Sequence, residues 1–242
     1  MEQKMTKEQK KKEAQIGKFN RNMVVIKKGD LLQEKVEVII NSVGPYIENG
    51  FGGAIGKSVV NECGQEIIRE AISETKSVYG GDEIKAGKFI STSACKSNNH
   101  KFVLHCVAPA FADENSTNIL QKLISEILEF CNDNKVESIS IPPMGSGILS
   151  FPSDVCAKAF FAGCMSFLED VDCKTTIRKM NICIFEQDKC ETFQEEWDKQ
   201  FEVYKKDFDD GSEVSGEDQS SSEEEVPARA AMKGKKRKAK IE

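Results

Sequence analysis

The feature that most constrains the fold of this chain is a regular alternation of short apolar runs with longer amphipathic segments. The short runs are rich in β-branched residues, which is typical of strands covered on both faces. The longer segments repeat apolar residues three and four positions apart, which predicts helices with one buried stripe. The pattern therefore predicts one three-layer α/β/α domain around a mostly parallel mixed sheet. The predicted strands are 23–26, 36–41, 88–92, 102–107, 138–142 and 180–185, and the predicted helices are 55–74 (which Gly64 can break), 117–131, 153–168 and 191–205.

Charge is distributed unevenly, and its changes mark the expected boundaries. Residues 1–18 carry six lysines against three glutamates, and we interpret them as a lysine-rich arm. Residues 207–225 hold nine acidic residues, and residues 226–242 hold seven basic ones. These ends have too little apolar content to offset the entropy of ordering, so 207–242 is predicted to be a disordered tail. The globular part, 19–206, has a net charge of −6, which excludes a general attraction to nucleic-acid phosphates.

Several sequence features bear on location and on metal binding. There is no run of about 18 apolar residues, and the lysine-rich N-terminus does not look like a secretory signal, so we expect no membrane contact. Nine scattered cysteines favour reduced thiols and an intracellular protein. The basic cluster 233–240 predicts nuclear localisation, with a solvated charge run as the alternative. His105 and Cys106 are neighbours in a predicted strand, and with Cys95 and His100 they form no zinc spacing, so no metal site is expected.

Two glycine-rich stretches, 41–55 and 143–152, each connect a predicted buried strand to a predicted helix. Glycines there free backbone N–H groups to face an anion, and a helix N-terminus adds partial positive charge. Two such loops could hold a diphosphate from both sides. Neither contains the Gly-x-Gly-x-x-Gly or Walker fingerprint, and a glycine-rich turn is often only a turn, so spacing alone leaves the question open.

Short motifs follow one another in an order that is known from one family. They are Lys-Lys-Gly-Asp-Leu at 27–31, Val-Glu-Val-Ile-Ile-Asn-Ser at 36–42, Gly-Phe-Gly-Gly-Ala-Ile at 50–55, Ala-Gly-Lys-Phe at 86–89, Phe-Val-Leu-His-Cys at 102–106, Ser-Ile-Pro-Pro-Met-Gly-Ser-Gly-Ile at 140–148, Phe-Pro at 151–152 and Ile-Cys-Ile-Phe-Glu at 182–186. Over residues 20–200 the chain resembles a macrodomain. Within that family it looks most similar to the macro part of the macro-type histone variant and to macrodomains of poly-ADP-ribose polymerases.

The resemblance implies a pocket for ADP-ribose as a ligand, with no cofactor. Asp30, next to Leu31, matches the carboxylate that accepts a hydrogen bond from the adenine amino group, and Phe185 matches the aromatic that stacks on adenine. Asn41 matches the side chain that faces the distal ribose. Without the resemblance, these would be a turn-capping Asp, a core Phe and a turn-forming Asn. The remaining implied contacts are Gly50, Phe51, Gly52 and Gly53 beside the distal ribose and phosphates, and Gly145, Ser146, Gly147, Ile148 and Leu149 around the diphosphate, with Leu149 standing where many members carry Tyr or Phe.

The resemblance also bears on catalysis. Members that hydrolyse mono-ADP-ribose carry a second Asn three residues after the first and an Asp in the first glycine loop, where this chain has Gly44 and Gly52. Glycine can neither position a water molecule nor act as a base, so a binding module is favoured and no catalytic residue is assigned. The expected partners are ADP-ribose and mono- or poly-ADP-ribosylated proteins, with histone or nucleic-acid contacts through the charged tails. Two alternatives stay open, a hydrolase with divergent catalytic residues and a histone or nucleic-acid adaptor with a vestigial pocket.

Overall fold

Six strands form one mixed sheet in the part of the chain that the structure describes. This computed structural model describes Gly17 and residues 23–171 and 174–210, with side chains as far as Lys205. The strands are β1 (Val24–Lys28), β2 (Val38–Ser42), β3 (Lys88–Ser93), β4 (Phe102–Val107), β5 (Ser138–Ile141) and β6 (Lys179–Ile184). Their order across the sheet is β1-β6-β5-β2-β4-β3. All neighbours run parallel except β3, which pairs antiparallel with β4 at one edge.

Helices cover both faces of the sheet, which confirms the predicted three-layer α/β/α architecture. The helices are α1 (Gly53–Cys63), α2 (Glu66–Tyr79), α3 (Glu114–Asp133), α4 (Ser153–Asp170) and α5 (Gln187–Asp210). Residues such as Ile39 and Val103 point to the layer formed by α1 and α2, whereas Ile40 and Leu104 point to the layer formed by α3, α4 and α5. Because both faces of the sheet are covered, the central strands are mostly apolar, and their buried polar side chains are Asn41, His105, Ser140 and Asn181.

The structure refines the predicted elements by a few residues at their ends. The break at Gly64 separates α1 from α2, because Gly64 adopts a φ of 84° and its N–H donates to the Val60 carbonyl. Helix α3 begins three residues earlier than expected, since the Asp113 carboxylate accepts a hydrogen bond from the Ser116 N–H and caps the helix. Such a cap satisfies one of the N–H groups that the first helical turn leaves unpaired.

The predicted boundaries at 18 and 206 stay predictions. Helix α5 extends to Asp210, four residues past the expected end of the globular part. Apart from Gly17 and 207–210, the predicted arm and tail lie outside the described residues, and so does the basic cluster 233–240. In the described part, no helix is both long and apolar enough to span a bilayer.

Candidate ligand crevice at the carboxyl edge of the sheet

The strand order reverses between β2 and β5, and this reversal locates a candidate binding crevice. From β2 the chain continues to β3 and β4 on one side, and from β5 it continues to β6 on the other side. In open α/β sheets, ligands bind beyond the carboxyl ends of the strands at such a switch point. The two glycine-rich loops, loop 1 (43–52) and loop 2 (142–152), follow these two strands directly. The topology therefore brings together the two loops that the sequence had marked as a pair.

Loop 1 leaves space above the sheet. Gly50 has a φ of 81°, and Gly53, the first residue of α1, has a φ of 75°, so both adopt a conformation that favours glycine. A Cβ atom placed on Gly50, Gly52 or Gly53 would meet no atom within 4 Å. The first turn of α1 presents the N–H groups of Gly53, Ala54 and Ile55, which have no partners within the helix. This loop therefore combines open space with backbone donors and a helix dipole.

Loop 2 presents a second set of backbone donors. The N–H groups of Gly147, Ile148 and Leu149 have no hydrogen-bond partner among the described residues. Two hydrogen bonds fix the conformation of the loop. The Ser146 hydroxyl donates to the Pro143 carbonyl at 2.8 Å, and the Phe111 N–H donates to the Leu149 carbonyl at 2.8 Å. Three consecutive amides without a partner among the described residues are donors of the kind that binds anions.

Across the sheet from β5 come β6 and β1, and Phe185 and Asp30 lie just after the ends of these two strands. Strands β1 and β6 are paired to their ends, and the Gly29 N–H donates to the Ile184 carbonyl at 3.0 Å, so both residues emerge from the sheet at the same edge. Phe185 is 77% exposed and therefore is not a core residue. Asp30 is exposed and does act as a turn cap, since its Oδ1 accepts from the Leu32 N–H at 3.0 Å. That bond uses one carboxylate oxygen, while the neighbouring Leu31 side chain is buried.

Asn41 has a different setting from the other implied contacts. Its side chain is fully buried, and its Nδ2 donates to His105 Nδ1 at 3.2 Å on the adjacent strand β4. His105 Nε2 donates in turn to the Thr92 hydroxyl at 2.9 Å on β3. The Phe51 ring lies over this network, with its centroid 4.5 Å from that of His105. Asn41 thus lies at the floor of the crevice with its Oδ1 unpaired, and its contact with a ribose stays a prediction.

The His105 network was not visible in the sequence. Periodicity places Asn41, Thr92 and His105 on strands but does not say which strands are neighbours, and only the strand order brings the three side chains together. Complete burial lowers the pKa of His105 from 6.5 to about 3. The imidazole is therefore neutral at physiological pH, and below loop 1 it stays hydrogen-bonded to Asn41 and Thr92.

The thiols and carboxylates of the described part offer little other chemistry. Burial raises the pKa of the Cys63 and Cys131 thiols to about 12, which keeps them protonated. Within residues 23–171 and 174–205, no three His, Cys, Asp or Glu side chains are grouped so that they could hold a metal ion. Gly44 and Gly52 carry no acid or base, and a Cβ at either would meet no atom within 4 Å.

An open cleft of about 310 Å³ lies at the opposite, amino edge of the sheet. Its lining includes Glu37 and Lys101, which form an ion pair, and His100, whose Nδ1 donates to the Val36 carbonyl at 2.9 Å. It contains none of the residues that the resemblance assigns to the ligand, and it lies at the amino ends of β2 and β5, whereas ligands bind at the carboxyl ends. The carboxyl-edge crevice is therefore the better candidate site.

Comparison with known proteins decides the family. The sequence model described as Macro domain matches residues 49–160. An uncharacterised protein from Sulfurisphaera tokodaii is 32% identical over 136 residues, which cover 56% of this chain and 71% of that protein. The chain belongs to the macrodomain family. Human protein mono-ADP-ribosyltransferase PARP14 is 28% identical over 155 residues, or 8% of its length. An uncharacterised protein from Thermotoga maritima is 28% identical over 179 residues, and the matched part spans 28% of that protein.

Solved macrodomains share the fold. The Oceanobacillus iheyensis macrodomain with ADP superposes with a TM-score of 0.68 at 21% identity, covering 76% of this chain and 95% of that one. The Trypanosoma brucei macrodomain in complex with ADP-ribose gives a TM-score of 0.59 at 17% identity, covering 71% of this chain and 68% of that one. At these identities the similarity shows the fold.

Proposed function

We propose that this macrodomain binds ADP-ribose, either free or attached to a protein, in the crevice between loop 1 and loop 2. The observation that carries the proposal is the pair of donor sets on either side of the switch point. The free amides of 147–149 and the first-turn amides of α1 suit the two phosphates of a diphosphate, because backbone N–H groups and a helix dipole both favour anions. The related folds solved with ADP and with ADP-ribose support this choice of ligand.

The strand order would decide where the adenine end and the distal-ribose end of the ligand lie. Phe185 offers an exposed aromatic face for stacking on adenine, and Asp30 retains a carboxylate oxygen for the adenine amino group. Loop 1 and the floor around Asn41 then adjoin the distal ribose. Gly44 and Gly52 supply no acid or base at the two positions where hydrolysing members carry Asn and Asp, which favours recognition over hydrolysis. No metal or prosthetic group is required.

Calorimetric titration of the full chain with ADP-ribose, ADP and AMP tests the proposal. Gly147→Glu places a carboxylate beside the diphosphate donors, and we expect ADP-ribose affinity to fall at least about 100-fold, or about 2.7 kcal/mol. Asn61→Glu is the matched control, because it adds the same charge to an exposed position near the far end of α1. The proposal fails if the wild-type chain gives no heat at millimolar ADP-ribose, or if both variants bind as the wild type does.

The hydrolase alternative has its own measurement. Incubation with a mono-ADP-ribosylated protein should leave the modification in place at enzyme-to-substrate ratios near one. Release of ADP-ribose that Gly147→Glu abolishes would instead establish hydrolysis in the same crevice.

We also propose a nuclear setting, on the basis of the cluster 233–240 alone. Replacing Lys235, Lys236 and Lys238 by alanine should redistribute a fluorescently tagged full chain from the nucleus to the cytoplasm. An unchanged distribution would contradict the proposal.

A further inference from the structure

Three buried polar side chains form a hydrogen-bonded chain below loop 1, and each lies on a different strand. Asn41 is on β2, His105 is on β4 and Thr92 is on β3, and all three are at most 2% exposed. Their strand neighbours two residues away, such as Ile39 and Val103, belong to the core beneath α1 and α2, so the three polar side chains share that face of the sheet. Buried polar groups are costly unless they are hydrogen-bonded, so the pairing within this chain is tightly constrained.

The contacts of His105 determine which of its ring nitrogens carries the proton. The Asn41 Nδ2 group lies 3.2 Å from His105 Nδ1, and an amide NH2 group can only donate, so Nδ1 is the unprotonated acceptor. Because burial lowers the pKa of His105 to about 3, the imidazole is neutral and its single proton is on Nε2. Nε2 then donates to the Thr92 hydroxyl oxygen at 2.9 Å. The Thr92 hydroxyl therefore favours the tautomer with the proton on Nε2.

The tautomer in turn fixes the orientation of the Asn41 amide. If the amide turned over, two acceptors, its Oδ1 and the unprotonated His105 Nδ1, would face each other. Oδ1 is consequently the amide atom that is left for another molecule. It is buried and has no hydrogen-bond partner among the described residues. Asn41 is the last residue but one of β2, and loop 1 follows that strand, so the network holds a hydrogen-bond acceptor at the floor of the crevice.

An unpaired acceptor in this place distinguishes between ligands. Leaving a buried carbonyl oxygen without a donor is costly, and a ligand group that donates to it removes that cost. A sugar hydroxyl can donate, whereas an ionised phosphate offers only acceptors. The orientation of the Asn41 amide therefore bears directly on which ligands fit.

We propose that Thr92 and His105 are positioning residues that hold the Asn41 amide with Oδ1 toward the ligand, so that the crevice selects a ligand ending in a sugar hydroxyl over one ending in a phosphate. This inference rests on the proposed function, which directs the distal ribose to the floor around Asn41. Thr92 acts through the other two residues and not through contact with the ligand. Without its hydroxyl, the Nε2–H group would lose its acceptor, and the tautomer with the proton on Nδ1 would be favoured. Nδ1 would then donate to Oδ1, and the Asn41 NH2 group would turn toward the ligand.

The test uses Thr92→Val, because valine keeps the shape of threonine and replaces the hydroxyl by a methyl group. The full chain is titrated with ADP-ribose and with ADP, which lacks the distal ribose. Relative to the wild type, we expect ADP-ribose affinity to fall about 10-fold and ADP affinity to change by less than about 2-fold. Nitrogen NMR of the imidazole ring should show the proton on Nε2 in the wild type and on Nδ1 in the variant.

Three further variants separate the hydroxyl from packing. Thr92→Ser keeps the hydroxyl and loses the methyl group, so it should keep the wild-type tautomer and ADP-ribose affinity even if its melting temperature falls. Thr75→Val is the matched control, because it makes the same exchange at another buried threonine, whose hydroxyl donates to the Ala71 carbonyl within α2. It should behave as the wild type in both measurements. In an Asn41→Ala background, Thr92→Val should cause no further loss of ADP-ribose affinity, because Thr92 acts through Asn41.

The outcomes distinguish this inference from the proposed function. If the wild type binds ADP-ribose but carries the His105 proton on Nδ1, or if Thr92→Val keeps its ADP-ribose affinity, the inference is wrong and the proposed function stands. Equal losses for ADP-ribose and ADP in Thr92→Val, or equal losses of ADP-ribose affinity in Thr92→Ser and Thr92→Val, also overturn the inference, since packing would explain them. If the wild-type chain does not bind ADP-ribose at all, both proposals fail.

Discussion

The two glycine loops on either side of the switch point are supported in different ways. Loop 1 rests on polar groups, because the Phe51 ring lies on His105, which is held by hydrogen bonds across three strands. Loop 2 rests on aromatic packing, since a Cβ at Gly145 would lie 2.7 Å from the ring of Phe151, which in turn contacts Phe111. The two loops look equivalent in sequence, but we expect different conditions to disrupt their conformations.

The comparison also divides the glycines into two kinds. Gly56 and Gly145 are packed against neighbouring residues, because a side chain at Gly56 would collide with Phe51 and one at Gly145 would collide with Phe151. Gly52 and Gly147 face open space. Substitutions of the first kind should cost stability, and substitutions of the second kind should cost ligand affinity once the added group is large or charged.

The largest effect is expected for Gly145→Ala. Its φ of 97° disfavours alanine, and the new Cβ would press on the Phe151 ring, so we expect the free energy of unfolding to fall by about 2–4 kcal/mol. Gly147→Ala, two residues away in open space, should change it by less than about 0.5 kcal/mol. Urea denaturation measures both values. Similar losses of unfolding free energy in the two variants would contradict the distinction between the two kinds of glycine.

Acid should loosen loop 1 before loop 2. The pKa of His105 is lowered to about 3 in the fold, so below its ordinary value of 6.5 the unfolded chain binds a proton that the folded chain does not. The stability that the neutral imidazole contributes is complete above pH 6.5 and decreases as pH falls towards 3, by up to about 1.4 kcal/mol per pH unit.

The matching variant is His105→Gln, which keeps hydrogen-bonding groups but does not titrate. Its unfolding free energy should depend less steeply on pH between about 4.5 and 6.5 than that of the wild type. Hydrogen exchange at about pH 5 should show faster opening of loop 1 than of loop 2 in the wild type. Parallel pH curves for the two proteins would contradict the role given to His105.

The smallest of these effects concerns Phe185, which belongs to neither loop. Because this ring is 77% exposed, Phe185→Ala should change the free energy of unfolding by less than about 0.5 kcal/mol. Loss of stacking should weaken ADP-ribose and AMP equally, by about 10-fold. A loss confined to ADP-ribose would assign Phe185 to the diphosphate or the distal end instead.

Much of the fold could be predicted from local pattern. Short apolar runs located all six strands of the described part, the helical period located the helices, and Gly64 was correctly expected as a possible break. Both glycine loops lie between a buried strand and a helix, as the sequence indicated, and their strands β2 and β5 are neighbours in the sheet. These features depend on residues close together in the chain, which is where pattern is informative.

The hydrogen-bond network around Asn41 and the support of loop 1 could not be predicted in the same way. Thr92 meets His105 only because β3 turns back antiparallel on β4, and Glu83 reaches loop 1 only through a bridge between distant residues. Asn41 is buried beside His105, and only the strand order makes these two residues neighbours. Such properties arise from tertiary neighbours, which periodicity does not specify.

The hydrogen bond from Gly29 to Ile184 joins the first strand of the described sheet to the last one. During synthesis, β1 leaves the ribosome long before β6. Closing the long chain segment between them is slow compared with forming the local helices. A nascent chain can thus form both glycine loops before it has the proposed surface for the nucleobase. If adenine binds there as proposed, its recognition is the last property to emerge during synthesis, and a probe that requires it reports completed folding.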